Sequence, residues 1–250
     1  MHSVSEPLEA TSAQDDACPI MGVLAWENEL EQLPGNLIHP QTFPFDVHVE
    51  RVPGARYETV VAHPTEAMAQ AFAQAAVRAE KRGVRFLIST TGLSVVFQRA
   101  VTEAVRIPVL TSSLLMLPMW QRMLSPRTKI GVITAGVPYL TPEHYRAAGL
   151  SSADFHVVGI NRSAVFNKLA VDPAHLGAVD ALRDLGVSVA RQMLLDEPDL
   201  GLILIEVTGL CAVAADIRLA TGLPVLDIVE CAFLMHNIHF QSRWQRQHGV

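Results

Sequence analysis

Two short polar turns contain most of the side chains in this sequence that could transfer a proton or bind an anion. The first is Thr90-Thr91-Gly92-Leu93-Ser94, and the second is Glu206-Val207-Thr208-Gly209-Leu210-Cys211. Each turn follows an apolar run and precedes a predicted helix, and ligands of open α/β sheets lie beyond the carboxyl ends of the strands. Small residues at a helix start let a carboxylate approach unpaired backbone N–H groups. The sequence therefore predicts a site for a small acidic molecule between two facing turns, although Thr-Gly is also a common tight turn.

Both turns belong to an internal repeat. Residues 87–110 align without a gap with residues 203–226, at an offset of 116 positions. In this alignment Ile107-Pro108-Val109-Leu110 matches Leu223-Pro224-Val225-Leu226. Each copy has the pattern of a strand, a sharp turn, a helix and a second strand. Two such units predict two similar α/β halves related by a pseudo-twofold axis.

Eight runs rich in β-branched residues predict strands, and amphipathic segments between them predict helices. Most runs are continuously apolar, which is typical of strands buried on both faces in a parallel sheet covered by helices. Phe45–Val52 instead alternates apolar with polar residues, which predicts a half-exposed edge strand. The predicted strands are 20–25, 45–52, 84–89, 107–110, 129–134, 155–160, 202–207 and 223–226.

Capping residues predict where the helices begin and end. Thr65 is predicted to cap a helix that stops at Gly83, and Thr141-Pro142 is predicted to open one that Gly149 closes. Asp172-Pro173 is predicted to open a longer helix that ends before Glu197-Pro198. The strands and helices therefore alternate along the chain, which predicts an α/β fold.

The composition excludes several classes of protein. The chain has 250 residues, 50% of them apolar, and a net charge of −6 without a block of basic residues. These features argue against a nucleic-acid partner. Glu206 and Asp227 interrupt the longest apolar stretches, which argues against a membrane span. Cys18, Cys211 and Cys231 are widely spaced and odd in number, which favours a reducing cytoplasm over a disulfide framework.

The same patterns predict the domain organisation. Residues 1–19 are read as a polar tail without the apolar core of a signal peptide. Residues 20–115 together with 225–250 are predicted to form the first α/β domain, and residues 116–224 the second. The ligand site would then lie in the cleft between the domains.

The sequence resembles the aspartate/glutamate/hydantoin racemase superfamily over most of residues 21–236. The resemblance implies an enzyme without cofactor or metal, with two pseudosymmetric, mainly parallel α/β domains and a small carboxylate bound between them. The matching motifs are Gly22-Val23-Leu24, Leu33-Pro34-Gly35-Asn36, Thr42-Phe43-Pro44-Phe45, Ile88-Ser89-Thr90-Thr91-Gly92-Leu93 with Gln98, Pro108-Val109-Leu110-Thr111-Ser112-Ser113-Leu114-Leu115, Lys129-Ile130-Gly131-Val132-Ile133-Thr134-Ala135 with Leu140-Thr141, Glu206-Val207-Thr208, and Ala220-Thr221-Gly222-Leu223-Pro224-Val225-Leu226-Asp227.

Both catalytic cysteines of the superfamily are replaced in this chain. The resemblance implies one cysteine at the end of each equivalent strand, on opposite faces of the substrate α-carbon, because inversion needs two proton-transfer groups. Thr91 and Val207 stand at those two positions. A valine cannot accept a proton, and a threonine hydroxyl is a weak acid that needs strong activation. The two-thiol mechanism is therefore not available here.

Three residues remain as candidate catalytic groups, namely Thr91, Glu206 and Cys211. Glu206 ends a predicted strand, where burial would raise its pKa and make it a base; alternatively it caps an amide or pairs across the domains. Cys211 lies four residues beyond Val207, and a buried structural thiol is the alternative reading.

A second set of residues is predicted to bind the substrate. Most of them would do so through hydroxyl groups or backbone amides. Glu27 could pair with a substrate ammonium group, and Asn28 could hydrogen-bond an amino or carboxylate group. A role in turns or caps is the alternative for each. The set comprises Glu27, Asn28, Thr90, Gly92, Ser112, Thr134, Thr208 and Gly209.

The function predicted first is a cofactor-independent isomerase acting on a small carboxylate through non-standard acid and base groups. A lyase or decarboxylase of the same fold and a noncatalytic carboxylate-binding protein are the alternatives, and a homo-oligomer is left open. A serine hydrolase is an outsider, suggested by the order Ser94, Asp227, His236 but lacking a second glycine at Val96. His236 and His239 lack a convincing third metal ligand, and no phosphate-binding glycine motif occurs.

Overall fold

The computed structural model describes residues 20–27, 33–150, 155–169 and 178–239. The predicted tail, Asn28 and the predicted helix start at Asp172-Pro173 lie outside these residues. Two four-stranded sheets, both parallel throughout, form the framework. The predicted α/β class, with two similar halves and parallel sheets, is confirmed.

The first sheet has the strand order β2-β1-β3-β4. Its strands are β1 (Met21–Trp26), β2 (Val47–Val52), β3 (Phe86–Ser89) and β4 (Val109–Leu110). β2 lies at the edge, as its alternating sequence predicted. β1 and β3 are almost entirely buried, because helices cover both faces of the sheet.

The second sheet repeats this order as β6-β5-β7-β8. Its strands are β5 (Lys129–Thr134), β6 (Phe155–Gly159), β7 (Leu200–Ile205) and β8 (Val225–Leu226). Leu87 pairs with Val109 in the first sheet and Ile203 pairs with Val225 in the second, which preserves the offset of 116 in the strand register. The internal repeat is therefore a structural repeat.

The helices between the strands begin and end near the predicted caps. Thr65 accepts a hydrogen bond from the Met68 N–H, and Thr141 forms a capping box with His144. Gly83 and Gly149 follow helix ends with φ of +90° and +73°, a region that favours glycine. The helices are α1 (Glu66–Lys81), α2 (Gln98–Ala104), α3 (Leu117–Met123), α4 (Pro142–Ala147), α5 (Ala164–Leu169), α6 (Ala178–Asp196), α7 (Ala214–Thr221) and α8 (Ile228–His239).

The halves share an apolar core. Leu93 and Val95 of the first half pack in one cluster with Val132 and Leu204 of the second. Helix α8 packs against the first sheet through Cys231, Ala232 and their neighbours, although β8, just before it, pairs in the second sheet. The predicted domain boundary at residue 225 falls at the start of β8, and the domain limits stay a prediction.

Candidate active site

The two polar turns continue into 3₁₀ helices before the α-helices begin. Gly92–Phe97 precedes α2, and Thr208–Val213 precedes α7. Both turns lead into helices, as the sequence predicted, although each helix starts with 3₁₀ winding. Neither Thr91 nor Val207, the residues before these helices, makes a side-chain capping hydrogen bond. The two turns, Thr90–Ser94 and Glu206–Cys211, are called the first and the second corner below.

The corners meet through a hydrogen bond between the halves. The Thr208 hydroxyl donates to the backbone carbonyl of Thr90 at 2.6 Å. Thr90 is buried and Thr208 is half-buried. Ser113 strengthens the same junction, since its hydroxyl donates to the Ile205 carbonyl at the end of β7 at 3.2 Å.

Glu206 forms the second contact between the corners. Its side chain and backbone lie directly against Gly92, where a Cβ atom would come within 2.7 Å of the Glu206 carbonyl oxygen and closer still to Oε1. Real Cβ atoms do not approach other atoms so closely. Only glycine at position 92 allows the corners to come together in this way.

The two contacts are equivalent under the internal repeat. The offset of 116 relates Thr90 to Glu206 and Gly92 to Thr208. The pair Thr90–Thr208 therefore corresponds to the pair Glu206–Gly92. In the first pair, the Thr208 hydroxyl donates to the Thr90 carbonyl. In the second pair, Glu206 stands in place of Thr90, and Gly92 stands in place of Thr208.

The Glu206 carboxyl group is buried and hydrogen bonded. Only 3% of the residue is exposed, and Oε2 accepts a hydrogen bond from the Thr134 hydroxyl at 2.7 Å. The backbone N–H groups of Ala135 and Leu93 also donate to the carboxylate. Burial outweighs these three donors and raises the pKa of Glu206 to about 7. The carboxyl group therefore changes charge near neutral pH.

His144 lies beside this network and was not predicted as a site residue. Its helix, α4, packs against the Gly92–Phe97 turn. Burial lowers the pKa of His144, opposed by the charge of Glu143 and by the Leu93 backbone. Its Nε2 is buried and has no hydrogen bond of good geometry within the described residues. The capping box with Thr141 is the sequence signal that fixes this side chain.

Thr91 and Val207, which the sequence resemblance predicts to stand in place of the catalytic cysteines, carry no ionisable group. Thr91 is half-buried, and Val207 is 8% exposed and packs in the core of the second half. Of the two, only Thr91 has a polar side chain near the corner. A two-base inversion through these positions is chemically excluded, because valine neither accepts nor donates a proton.

Cys211 is buried in the apolar cluster that also contains Met21, Val23 and Leu37. Burial raises the pKa of its thiol well above the usual value, even though the Ile228 and Val229 N–H groups donate to the sulfur. These surroundings fit a structural thiol. A catalytic role for Cys211 stays a prediction without support from its surroundings.

The other predicted binding residues are distributed unevenly around the corners. Thr134 donates a hydrogen bond to Glu206. Among the described residues, Phe166 is the one near the position of a Cβ at the half-buried Gly209, at 3.6 Å. Ser112 is buried and caps the next turn by accepting from the Leu114 N–H. Glu27 is exposed at the end of β1, where its N–H donates to the Ala55 carbonyl. A direct role of these residues in binding stays a prediction.

The serine hydrolase reading is wrong. Ser94 is fully buried in the 3₁₀ helix, and its Oγ accepts a hydrogen bond from the Ser89 hydroxyl at 3.1 Å. Asp227 accepts from the Glu230 N–H at the start of α8, and the His236 ring stacks on Phe45 at 4.2 Å. A serine nucleophile must be exposed at its turn, and Ser94 is not.

Two further absences concern metal and membrane binding. Across the residues that the structure describes, no group of three or more His, Cys, Asp or Glu side chains could hold a metal ion. Among those same residues, no helix combines the length and apolar character that crossing a membrane requires.

Two solved structures share this fold. A variant of arylmalonate decarboxylase superposes with a TM-score of 0.56 at 16% identity, covering 86% of this chain and 91% of that chain. An aspartate racemase homologue from Pyrococcus horikoshii superposes with a TM-score of 0.53 at 10% identity, covering 88% and 98%. These likenesses confirm the α/β fold that the sequence resemblance predicted.

Sequence comparison gives the family more narrowly. A dimethylsulfoniopropionate lyase from Durusdinium is 30% identical over 220 residues, which cover 85% of this chain and 72% of that protein. No family model matches the chain. The chain belongs to the family of this lyase.

Proposed function

We propose that this protein is a cofactor-independent lyase that eliminates a leaving group from the β-carbon of a small carboxylate, of the dimethylsulfoniopropionate type. The observation that carries the proposal is Glu206, a buried carboxyl group with a pKa of about 7 at the junction of the two corners. Glu206 and Cys211 are the only residues of these turns with readily titrating side chains. The relative with lyase activity in its name supports the type of reaction.

An elimination needs only one base. In dimethylsulfoniopropionate, the base removes a proton from the carbon next to the carboxylate, and the C–H electrons form a carbon–carbon double bond. The bond from the β-carbon to sulfur breaks, and its electron pair leaves with dimethyl sulfide, so that acrylate remains. Glu206 in its ionised form is the proposed proton acceptor, and the raised pKa makes it a stronger base than an ordinary carboxylate.

The surroundings of Glu206 assign supporting roles. Thr134 donates to Oε2 and orients the carboxylate, while Gly92 gives it room. The half-buried Thr91 and Gly209 are the proposed contacts for the substrate carboxylate, through a hydroxyl and a backbone N–H. Thr208 holds the corners together through Thr90 and acts on the substrate indirectly.

Isomerase chemistry is less well supported than elimination. Racemisation returns the proton to the opposite face of the α-carbon, which requires a second group. Val207 occupies the position where the superfamily has its second thiol. Removal of a proton from one face only, as in an elimination, fits Glu206 and Val207 better.

The test is release of dimethyl sulfide from dimethylsulfoniopropionate, measured by headspace gas chromatography with acrylate measured in parallel. We expect both products in equal amounts from the wild-type protein and none from Glu206→Gln, which preserves the shape of the side chain. Glu103→Gln, a change in an exposed carboxylate paired with Arg99, is the matched control and should retain activity. Absence of both products from folded wild-type protein between pH 5 and pH 9 would overturn the lyase proposal.

Two companion assays identify the alternatives. Deuterium exchange at the α-carbon of aspartate, glutamate or a hydantoin in D2O would identify an isomerase, and carbon dioxide from a substituted malonate a decarboxylase. A noncatalytic carboxylate-binding protein is the second candidate, because three donors already occupy the Glu206 carboxylate and both thiols are replaced. Saturable binding of a small carboxylate without any turnover would favour it.

A further inference from the structure

Helix α4 of the second half packs against the first corner and brings His144 to it. The helix contacts the Gly92–Phe97 turn, and Leu93 of that turn shares an apolar cluster with Tyr145, the residue after His144. Only 1% of His144 is exposed. The imidazole ring is therefore enclosed where the second half meets the first corner.

The capping box of α4 fixes which ring nitrogen of His144 carries the proton. Nδ1 accepts a hydrogen bond from the Thr141 N–H at 3.3 Å and lies 2.9 Å from the Thr141 hydroxyl oxygen. A backbone N–H can only donate, so Nδ1 is the acceptor and the proton of the neutral ring is on Nε2. Burial lowers the pKa of His144, which keeps the ring neutral at pH 7. Nε2 therefore presents one buried N–H group.

Leu93 lies between this N–H group and the carboxylate of Glu206. The Leu93 backbone forms a hydrogen bond that favours the protonated imidazole of His144, which identifies the Leu93 carbonyl oxygen as the acceptor. Nε2 has no partner of strict geometry in the described part of the chain, so this carbonyl is what offsets the burial of the N–H. The N–H of the same Leu93 donates to Glu206.

The position of Leu93 after Gly92 makes such a contact necessary. The Leu93 N–H belongs to the peptide group that joins these two residues, so its direction depends on the backbone dihedral angles of Gly92. Glycine restricts those angles less than any other residue, and only glycine fits against Glu206. A contact that holds Leu93 therefore determines whether its N–H points at the carboxylate.

We infer that His144 is a positioning residue, which holds Leu93 through its Nε2–H group so that the Leu93 N–H donates to Glu206. His144 acts through Leu93 and does not touch the substrate. As a statement about catalysis the inference rests on the proposed function, because Glu206 is the proposed base. Two other ionisable groups belong to the same surroundings: the charge of Glu143 acts on His144, and the charge of Glu206 acts on Tyr145.

The experiment follows the ionisation of Glu206 by carbon-13 NMR, in protein labelled at the side-chain carboxyl carbon of glutamate. Loss of one signal in Glu206→Gln identifies the resonance, and its midpoint in wild type should lie at about pH 7. His144→Leu removes the N–H donor without adding a charge. The Leu93 N–H should then stabilise the ionised carboxylate less, so the proton affinity of Glu206 should increase at least about threefold and the midpoint should move to higher pH.

Two further variants separate positioning from helix capping. Glutamine is favoured at this position of a capping box and also carries an N–H group, so His144→Gln should return the proton affinity of Glu206 to within about twofold of wild type. Thr65→Ala removes the cap of α1, where the Thr65 hydroxyl accepts from the Met68 N–H. This control should lower the melting temperature and leave the midpoint of Glu206 in place. A purely structural role would make His144→Leu behave in the same way.

The amide proton of Leu93 gives a second reading. In wild type its resonance should shift as Glu206 ionises, because the N–H donates to the carboxylate. In His144→Leu this shift should shrink at least about twofold, since a hydrogen bond weakens steeply as its geometry departs from linear. If the leucine variant does not fold, His144→Met takes its place, because methionine adapts to the same space and has no N–H.

Two results would overturn the inference: an unchanged carboxyl midpoint in a folded leucine or methionine variant, or a midpoint displaced as far in His144→Gln as in His144→Leu. The lyase proposal fails separately. Wild-type protein that releases no dimethyl sulfide contradicts that proposal and leaves the NMR titrations as they are. In active protein, the pH at half-maximal kcat should rise with the carboxyl midpoint in His144→Leu, while KM stays within about twofold. A kinetic profile that stays in place while the midpoint moves overturns only Glu206 as the base.

Discussion

The carboxylate of Glu206 packs against the backbone of Gly92. Across the pseudo-twofold axis, Thr90 and Thr208 form the equivalent contact. The repeat thus places a titrating group at one corner and a neutral hydroxyl contact at the other. The junction therefore offers a proton acceptor on one side only, which is what the proposed elimination requires and an inversion does not.

Replacing Gly92 by alanine should disrupt this junction. The added methyl group would overlap both the carbonyl oxygen and the carboxylate of Glu206, and overpacking of this kind costs about 1–3 kcal/mol. Thermal unfolding should show the loss, and activity should fall at least about tenfold as Leu93 moves away from Glu206. Gly209→Ala is the control for stability, because in the described part of the chain the nearest neighbour of its added methyl is Phe166, at an ordinary contact distance of 3.6 Å. Equal melting temperatures for the two variants would contradict the contact.

The charge of Glu206 should make stability depend on pH. Its pKa rises from an ordinary value of 4.5 to about 7, so between these values the native state binds a proton that the unfolded state releases. The free energy of unfolding should therefore fall as pH rises through this window, by roughly 3 kcal/mol from this group. Glu206→Gln should remove that part of the dependence in urea titrations at pH 4.5 and pH 7.5. An unchanged pH dependence would show that the carboxyl group is not buried as described.

Catalysis should show the opposite trend with pH. Only ionised Glu206 accepts a proton, so kcat should rise with pH and level off above about 7. Initial rates of dimethyl sulfide release between pH 5 and pH 9 measure this. A rate that falls across the same range would mean that the group acts as an acid or that a different residue is the base.

Removing the Thr208 hydroxyl should loosen the junction without disturbing the core. Thr208→Val keeps the shape of the side chain but leaves the Thr90 carbonyl without this donor, at a cost of about 1–2 kcal/mol. Chemical denaturation measures the loss. Thr102→Val is the control. The Thr102 hydroxyl donates within its own exposed helix, so its removal should lower the free energy of unfolding less. If both variants lose the same stability, the bond between the halves contributes nothing specific.

Asp227 should stabilise α8 through its capping hydrogen bond rather than through its negative charge. It accepts from the Glu230 N–H at 2.8 Å, and burial raises its pKa from 3.8 to about 6. Asp227→Asn keeps the acceptor and removes the buried charge, so at pH 7.5 it should be at least as stable as wild type. Asp227→Ala loses the cap and should cost about 1 kcal/mol. Melting temperatures in the reverse order would contradict a capping role.

The thiol of Cys211 should be unreactive in the folded protein. Burial raises its pKa well above the usual value, and only the thiolate is nucleophilic. In a Cys18→Ser background, iodoacetamide at pH 8 should label Cys211 at least about a hundredfold faster in urea than in buffer, as followed by mass spectrometry. Rapid labelling of the native protein would restore Cys211 as a catalytic candidate.

Local sequence determined most of the secondary structure. β5 has the predicted bounds Lys129–Thr134, and Thr65, Thr141, Gly83 and Gly149 mark helix ends as predicted. These features depend on contacts between residues a few positions apart, so they can be read from spacing and residue type. The repeat offset likewise fixed the common strand register of the two halves, because equivalent apolar positions must face equivalent cores. The replacement of both catalytic thiols, by Thr91 and Val207, stays a prediction from the sequence resemblance.

The partners of the site residues were decided only by the tertiary structure. From the sequence, Glu206 could be either a base or a cap. In the folded protein its carboxylate accepts hydrogen bonds from Thr134, Ala135 and Leu93. It also packs against Gly92. Residues so far apart in the chain meet only after two cores have formed and docked, and the burial that raises the pKa of Glu206 exists only in that packed state.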